Sequence, residues 1–277
     1  MIRSNAGRYP VSAQCEILGV ARATYYYSLS HERKEVANPL EEEVVSIFKE
    51  NRGRYGARRI KAVLSRRGKC ASRRRIAGIL KKNNLSCIRR NAKVKAGKAP
   101  ANGSDLPNIV ARNFDGYSPR THICSDLTYV RVGGRWNYIC LLIDLYNREI
   151  VGHAAGERKD ARLVKSAFAT LDFPISDIEV FHTDRGSEFD NAQIDEMLEI
   201  FEVRRSLSKK GCPYDNAVDE STNKTLKEEF VYQEEFASLH DLQLKLSDYV
   251  HWYNHKRLHS TLGYMSPVEF REAGLSL

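Results

Sequence analysis

Two spacings of hydrophobic residues divide this chain of 277 residues. Up to about residue 90, apolar residues recur every three or four positions, which is the period of helices with one buried face. Beyond residue 121, apolar and polar residues alternate in runs at 123–132, 136–144 and 149–155. Alternation is typical of strands, and Gly133-Gly134 favours a hairpin turn because glycine tolerates positive φ. The pattern predicts an all-α region followed by an α/β domain.

The helical region is predicted to have two parts and a linker. Residues 1–30 have the spacing of a short helix-turn-helix, although a plain helical hairpin fits equally well. Residues 38–90 contain further helices, of which the first has Asn38 at its N-cap and Pro39 at its first position. In this part a helix ending at glycine is followed closely by a basic helix, which is helix-turn-helix patterning. Residues 91–118 lack periodicity and are predicted to be the linker.

After the three predicted strands, helices and strands alternate. Helices are predicted at about 160–171, 190–201, 239–255 and 266–273, and strands at 178–183 and 202–206. A further helix carries Glu220 and has Asp215 or Asn216 available as its cap. A hairpin sheet followed by a helix and by a strand beside the first strand is an α/β layer arrangement.

The positive charge of the chain is concentrated in one segment. The formal net charge is +9, from 44 basic and 35 acidic residues. Eighteen of the basic residues, and no acidic residue, lie between Arg52 and Lys98. A solvated face would tolerate such a segment, but its helical apolar spacing favours a surface that binds nucleic-acid phosphates. The expected DNA-contacting residues in this segment are Arg58, Arg59, Arg73, Arg74 and Arg75.

The sequence shows no feature of export or of membrane insertion. It has no signal peptide and no long apolar run. Its six cysteines form no C-x-x-C pair and no cluster with histidine at zinc spacing. We therefore expect a reduced, cytoplasmic protein with no disulfide framework and no zinc finger.

Three acidic residues lie in contexts where their side chains can converge. Asp126 falls within the first predicted strand, Asp184 directly follows the strand at 178–183, and 35 residues separate Asp184 from Glu220. Hard divalent cations such as Mg²⁺ prefer carboxylate oxygens. Two such ions can activate an attacking oxygen and stabilise a leaving oxygen during phosphoryl transfer. A lone aspartate at a strand end is more often a turn or cap residue, so this prediction depends on the motifs around all three acids.

Together these motifs resemble those of the retroviral-integrase-like DDE transposases encoded by the second reading frame (OrfB) of bacterial insertion sequences. The resemblance covers nearly the whole chain. Its motifs are Asp126-Leu127-Thr128-Tyr129, His182-Thr183-Asp184-Arg185-Gly186-Ser187-Glu188-Phe189, Asp215-Asn216-Ala217-Val218-Asp219-Glu220-Ser221, Tyr253-Asn254 with Arg257, His259, Gly263 and Pro267, and, near the N-terminus, Tyr55-Gly56-Ala57-Arg58-Arg59-Ile60.

The resemblance implies a ribonuclease-H-like integrase core at 119–277, preceded by the all-α helix-turn-helix region. It implies two Mg²⁺ or Mn²⁺ ions, with Asp126 bridging both, Asp184 binding one and Glu220 the other. The implied activity is metal-dependent cleavage of transposon ends followed by strand transfer, without a covalent protein–DNA intermediate. The implied partners are double-stranded DNA, at transposon ends and target, a homo-oligomer on that DNA, and an upstream-frame OrfA protein, separate or fused.

Three positions near the acids depart from the family pattern. Ile123 replaces a usual tryptophan, and Asn223 replaces a usual aromatic residue. Asp219 is commonly a small residue in the family and here adjoins Glu220. Neighbouring helical positions point about 100° apart, so both acids should not bind one ion.

Two lysines and one histidine are further candidates for the site. Lys224 and Lys227 follow Glu220 by four and seven residues, which on one helix stacks all three on one face. We expect both lysines to bind phosphates beside the scissile bond, the alternative being ordinary surface lysines. His182 shares the face of Asp184 on the predicted strand, where it either tunes the metal site or forms a structural hydrogen bond.

Two other functions fit part of the pattern. A ribonuclease-H-type or junction nuclease would share the core, but such enzymes usually have an acid inside the first core helix, and 161–171 contains none. A transposase-derived DNA-binding protein without catalysis would be expected to have a disrupted site, whereas the three acids are present. Metal-dependent nicking of an end-bearing duplex would separate these functions.

Overall fold

The computed structural model of this protein describes residues 1–30, 38–88, 106–209 and 213–277. The predicted linker is therefore described only from residue 106. Residues 89–98 of the basic segment, and residues 210–212 of the loop before the Glu220 helix, lie outside the described residues.

The N-terminal part is helical and the remainder is mixed, as the spacing predicts. The N-terminal helices are α1 (Ile2–Asn5), α2 (Val11–Ile17), α3 (Arg22–Ser30), α4 (Pro39–Glu50), α5 (Ala57–Arg66) and α6 (Arg73–Lys82). The strands are β1 (His122–Val132), β2 (Arg135–Asp144), β3 (Ile150–Gly156), β4 (Val180–Thr183) and β5 (Arg204–Leu207). The later helices are α7 (Ala161–Phe168), α8 (Ala192–Ile200), α9 (Ala217–Leu226), α10 (Leu239–His255) and α11 (Pro267–Glu272). In the described ranges, no helix combines the length and hydropathy that a membrane span requires.

Helix ends follow the local chemistry of the sequence. The Asn38 side chain accepts a hydrogen bond from the backbone N–H of Leu40, and Ser72 caps α6 in the same way. Ser266 and Glu269 form a capping box at α11. Asn216 occupies the predicted N-cap position of α9, but among the described residues its side chain forms no cap hydrogen bond there. The Asp215 carboxylate accepts hydrogen bonds from the side chains of Asn108 and Arg112 and from the backbone N–H of Lys209.

Five strands form one mixed sheet in the order β3-β2-β1-β4-β5. The first three strands are antiparallel neighbours, joined between β1 and β2 by the two glycines at positive φ. β4 pairs with β1 in parallel, and β5 pairs with β4 in parallel. The prediction that the returning strand lies beside the first strand is confirmed, which makes β1 the centre of the sheet.

Successive residues along the strands pack against helices on opposite faces of the sheet. On β1, Cys124 belongs to a buried cluster with residues of α9 and α10, whereas its neighbour Ile123 belongs to a cluster with residues of α7 and α8. Successive strand residues point to opposite faces, so the sheet is covered on both sides. This α/β/α arrangement is the expected ribonuclease-H-like fold class, and Ile123 fills the second cluster as an aliphatic packing residue.

The described part of the predicted linker packs against the sheet. The backbone N–H of Leu207 donates to the carbonyl of Pro107 at 3.2 Å, and Ser206 accepts from the N–H of Ile109 at 2.9 Å. Val110 is buried in the same core as α9 and α10. β5 is an edge strand whose free backbone groups need partners, and residues 107–110 provide them.

Candidate active site

Strand register brings the first two acids together. β1 and β4 pair in parallel with Ser125 opposite Thr183, which is the last residue of β4. The next residues on the two strands are Asp126 and Asp184. These aspartates therefore lie side by side where β4 ends and β1 continues.

The carboxylate of Asp126 is held by two hydrogen bonds. One oxygen accepts from the backbone N–H of Leu127 at 2.8 Å, and the other accepts from the side-chain amide of Asn223 at 3.0 Å. Burial, and then the negative charge of Asp184, raises the pKa of Asp126 to about 7. Asn223, at the position where an aromatic residue is usual, thus ties α9 to the central strand.

Asp184 is oriented by the turn that follows β4. Its carboxylate accepts a hydrogen bond from the backbone N–H of Gly186 at 2.9 Å. Gly186 packs directly on Glu188, because a Cβ on this glycine would lie 2.5 Å from a carboxylate oxygen of Glu188. A side chain at position 186 would therefore displace Glu188.

α9 carries two adjacent acids with opposite environments. Glu220 is exposed, and partial burial raises its pKa. Asp219 is 0% exposed, and among the described residues no N–H or O–H group donates to its carboxylate, which lies beside the thiol of Cys124. Burial, and then the charges of Asp126 and Asp184, raises the pKa of Asp219 well above its usual range. The expectation that the two acids point apart is confirmed by their exposure.

A lysine and a further acid lie beside the aspartates. Glu188 is 2% exposed and forms an ion pair with Lys159 at 2.9 Å. Burial disfavours the charged form of Lys159, but the hydrogen bond and charge of Glu188 outweigh it, so the pKa of the lysine is raised. Asp184 and Asp126 contribute to that rise with smaller effects. Sequence reasoning did not single out Lys159, which stands in the loop before α7 without any motif.

His182 has a structural role. Its ring nitrogens are hydrogen-bonded to the hydroxyl of Ser206 at 2.8 Å and to the carbonyl of Asp215 at 3.0 Å. Burial lowers the pKa of His182, which favours the neutral ring. Asp215 also forms an ion pair with Arg112 at 2.6 Å. Of the two alternatives for His182, the structural hydrogen bond is the one observed, and it links β4 to the segment that starts α9.

The two predicted phosphate-binding lysines differ in position. Lys224 is exposed on α9. Lys227 lies in a π-helical turn, Lys227–Val231, that follows α9. Its ammonium is 4.6 Å from the centre of the Tyr129 ring, and burial lowers its pKa while Asp126 opposes that change. Lys227 is thus within electrostatic reach of Asp126.

The predicted DNA-contacting arginines fall into two groups. Arg59 is half-buried and its guanidinium lies 3.4 Å from Glu229, so it joins the helical region to the core. The other four are exposed, and among the described residues none of them forms an ion pair; they are Arg58, Arg73, Arg74 and Arg75. Arg58 and Arg73 line one surface cavity of about 440 Å³ together with Lys61.

The acids suit a hard divalent cation by their chemistry. All the candidate ligands are carboxylates, and within the described part of the chain one oxygen of Glu188 and both oxygens of Asp219 are buried without an N–H or O–H donor. Burial, and then the charge of Asp184, raises the pKa of Asp126, and a cation would relieve the repulsion between the two aspartates. Over the described ranges, no three His, Cys, Asp or Glu side chains stand close enough to hold one ion.

Comparison with known proteins gives a family for the chain. The chain is 30% identical over 237 residues to the transposase for insertion sequence element IS904 of Lactococcus lactis subsp. lactis, covering 84% of this chain and 93% of that protein. It is 28% identical over 286 residues to transposase InsF for insertion sequence IS3A of Escherichia coli, covering 99% and 98%. The chain belongs to the OrfB-type transposases of bacterial insertion sequences.

Family models locate the parts of this transposase. Two models described as integrase core domain match residues 116–213 and 202–267, and a model described as HTH-like domain matches residues 35–93. Among solved structures, the transposase is similar to the HTLV-2 integrase catalytic core domain in complex with magnesium, at 14% identity and a TM-score of 0.44, covering 56% of this chain and 98% of that one. The integrase core and the helix-turn-helix region are as expected.

Proposed function

We propose that this transposase cleaves transposon ends and transfers the resulting strand to target DNA in a metal-dependent reaction. Asp126, Asp184 and Glu220 are its catalytic acids and metal ligands. The observation that carries the proposal is the strand register that makes Asp126 and Asp184 neighbours, with α9 bound to Asp126 through Asn223.

Each side chain has a separate task in this proposal. Two Mg²⁺ or Mn²⁺ ions, when bound, activate the attacking oxygen and stabilise the leaving oxygen. The backbone N–H of Leu127 and the amide of Asn223 keep the Asp126 carboxylate oriented. The N–H of Gly186 does the same for Asp184. Fixed carboxylates matter because a displacement of about 1 Å in a phosphoryl-transfer site can cost about 100-fold in rate.

The binding partner in this proposal is double-stranded DNA. Residues 38–90 supply a basic surface for the phosphates, and residues 119–277 supply the chemistry. Lys224 and Lys227 hold the strand next to the acids. We also propose that copies of the transposase assemble on the DNA and that an OrfA protein of the upstream frame takes part. The HTH-like and integrase core matches support DNA as the common ligand.

The test uses three conservative variants of the full chain. Asp126→Asn, Asp184→Asn and Glu220→Gln each remove a charge with little change in volume, so each should abolish end cleavage and strand transfer. DNA binding should be largely retained. Both reactions are measured with Mg²⁺ on a duplex that carries the transposon end, and binding is measured by fluorescence anisotropy.

Two results would count against the proposal. Full activity of Glu220→Gln would show that Asp126, Asp184 and Glu220 are not together the catalytic acids. Absence of metal-dependent nicking by the wild-type chain, with intact DNA binding, would favour a DNA-binding protein without catalysis.

A further inference from the structure

We propose that Asp219 is a fourth acidic ligand of the metal site, an inference that rests on the proposed metal-dependent function. Its burial is the first supporting observation. The carboxylate of Asp219 is fully buried, and in the part of the chain that the structure describes no N–H or O–H group donates to it; its polar neighbour there is the weak thiol donor of Cys124. An isolated buried carboxyl is expensive, and in native proteins such a group calls for a specific explanation.

A second buried aspartate shows how hydrogen bonds stabilise a buried carboxylate in this protein when its role is structural. Asp144, at the end of β2, is also 0% exposed. Its two oxygens accept hydrogen bonds from the backbone N–H groups of Arg120 at 2.8 Å and Tyr146 at 3.0 Å. Asp219 has no such partners in the described ranges, although it lies inside a regular helix.

The position of Asp219 directs its side chain toward the catalytic strand. Asn223 is four residues later on α9, on the same helical face, and its amide touches Asp126. Asp219 is thus one turn from that contact. On β1, Cys124 and Asp126 share the face that packs against α9, and the buried Cys124 thiol is the polar group next to the Asp219 carboxyl. The carboxyl therefore occupies the layer between β1 and α9.

Glu220 cannot take the same place. The two residues point about 100° apart around the helix, and Glu220 is exposed whereas Asp219 is buried. An ion held by Asp219 would therefore be one that it shares with Asp126, while Glu220 faces the solvent side where DNA would approach.

The experiment measures metal binding without measuring activity. The full-length protein and its Asp219→Asn variant are titrated with MnCl₂, by calorimetry and by the midpoint of thermal unfolding relative to EDTA. We expect Asp219→Asn to unfold in EDTA at about the wild-type temperature, since the substitution removes no N–H or O–H hydrogen bond among the described residues. We expect its Mn²⁺ dissociation constant to rise by about 10-fold or more, since outer-shell changes alone cost about 10-fold to 100-fold. Asp219→Val, which removes the carboxyl altogether, should also raise the Mn²⁺ dissociation constant.

Two control variants separate the inference from the function on which it rests. Asp144→Asn should lower the midpoint in EDTA and leave the Mn²⁺ affinity unchanged. In Asp126→Asn, Mn²⁺ should no longer raise the midpoint of thermal unfolding. Wild-type Mn²⁺ affinity in both Asp219 variants, with loss in Asp126→Asn, would overturn the role of Asp219 and leave the proposed function standing. Wild-type Mn²⁺ affinity in Asp126→Asn would overturn the metal-dependent function itself.

Discussion

The orientation of Asp126 is fixed by groups from two different elements. Leu127 supplies a backbone donor within β1, and Asn223 supplies a side-chain donor from α9. Hydrogen bonds to a carboxylate favour its charged form, but here burial and the adjacent charge of Asp184 outweigh them. Asp126 is therefore an acid whose pKa lies near neutral pH.

This raised pKa predicts how stability depends on pH. The pKa of Asp126 is about 7 in the folded protein and near 3.8 when unperturbed. Since the folded state holds the proton more tightly, the contribution of Asp126 to stability is full below about pH 4 and is lost as the pH rises to about 7. In EDTA, the wild-type chain should therefore lose stability relative to Asp126→Asn over this window.

Urea unfolding of both proteins at several pH values measures that difference. Above pH 7 the difference should stay constant. A difference that does not change between pH 4 and pH 7 would show that Asp126 has an ordinary pKa.

At the scale of elements, α9 presents separate faces to the protein and to solvent. Asp219 and Asn223 face the sheet, and Glu220 and Lys224 are exposed. α9 ends at Leu226 and a π-helical turn begins at Lys227, whose place on the Glu220 face stays a prediction. Its ammonium lies 4.6 Å from the centre of the Tyr129 ring, whereas Lys224 is exposed.

The two lysines should therefore contribute unequally to end cleavage. Lys227→Ala should slow cleavage of a pre-assembled end substrate by about 10-fold to 100-fold, because misaligned reacting atoms carry such costs. Lys224→Ala should have a smaller effect, and the double variant should retain nonspecific DNA affinity. Lys245→Ala is a matched control, since this lysine pairs with Asp241 on α10. A wild-type cleavage rate in the double variant would show that neither lysine contributes to cleavage.

The arginines of α5 and α6 are of two kinds, those that form ion pairs within the protein and those that are exposed and form none among the described residues. Arg66 pairs with Glu269 of the core, and Arg67 pairs with Glu43 and Glu50 of α4. The exposed Arg58 of α5 and Arg73 of α6 have no acid partner among the described residues. The latter pair is available to neutralise phosphates.

A comparison of matched double variants tests this division. Arg58→Ala with Arg73→Ala should weaken binding to duplex DNA uniformly across sequences and lower the salt slope by about 0.9 for each phosphate that is no longer neutralised. Arg66→Ala with Arg67→Ala removes the same charge but should change the slope less. Binding is measured at several salt concentrations. Equal changes in the two slopes would mean that net charge alone governs affinity.

At the scale of the whole molecule, the helical region is docked on the C-terminal helices. The Tyr55 hydroxyl donates to the carbonyl of Lys256 at 2.7 Å and accepts from the N–H of Leu258 at 2.9 Å. Glu229 binds the guanidinium of Arg257 with both oxygens, at 2.8 and 3.0 Å, and also pairs with Arg59. The DNA-binding region and the catalytic core therefore share one buried ionic cluster.

Breaking this cluster should cost far more than breaking an exposed ion pair between the same regions. Glu229→Gln leaves the buried Arg257 without its carboxylate, so the free energy of unfolding should fall by about 3–5 kcal/mol. Asp248→Asn removes the exposed partner of Arg52 and should cost less than about 1 kcal/mol. Urea unfolding measures both. Equal small losses would indicate that Glu229 is solvated and does not hold the regions together.

The elements and their buried faces follow from the amino-acid sequence alone. The spacing of apolar residues predicted all five strands and the later helices, and α10 matches its predicted range. Local signals suffice here because hydrogen bonding and burial within an element depend on residues a few positions apart. The motifs also identified the three acids, since each lies in a distinctive local context.

Which side chains meet depends on the tertiary structure. The pairing of Ser125 with Thr183 makes Asp126 and Asp184 neighbours. The packing of α9 on β1 buries Asp219 beside the Cys124 thiol and gives Asn223 its contact with Asp126. These outcomes depend on residues about 60 to 100 positions apart in sequence, whose register and burial no local pattern encodes. For the same reason, the sequence marked Arg59 as a DNA contact, whereas its neighbours in space made it part of the interface between the two regions.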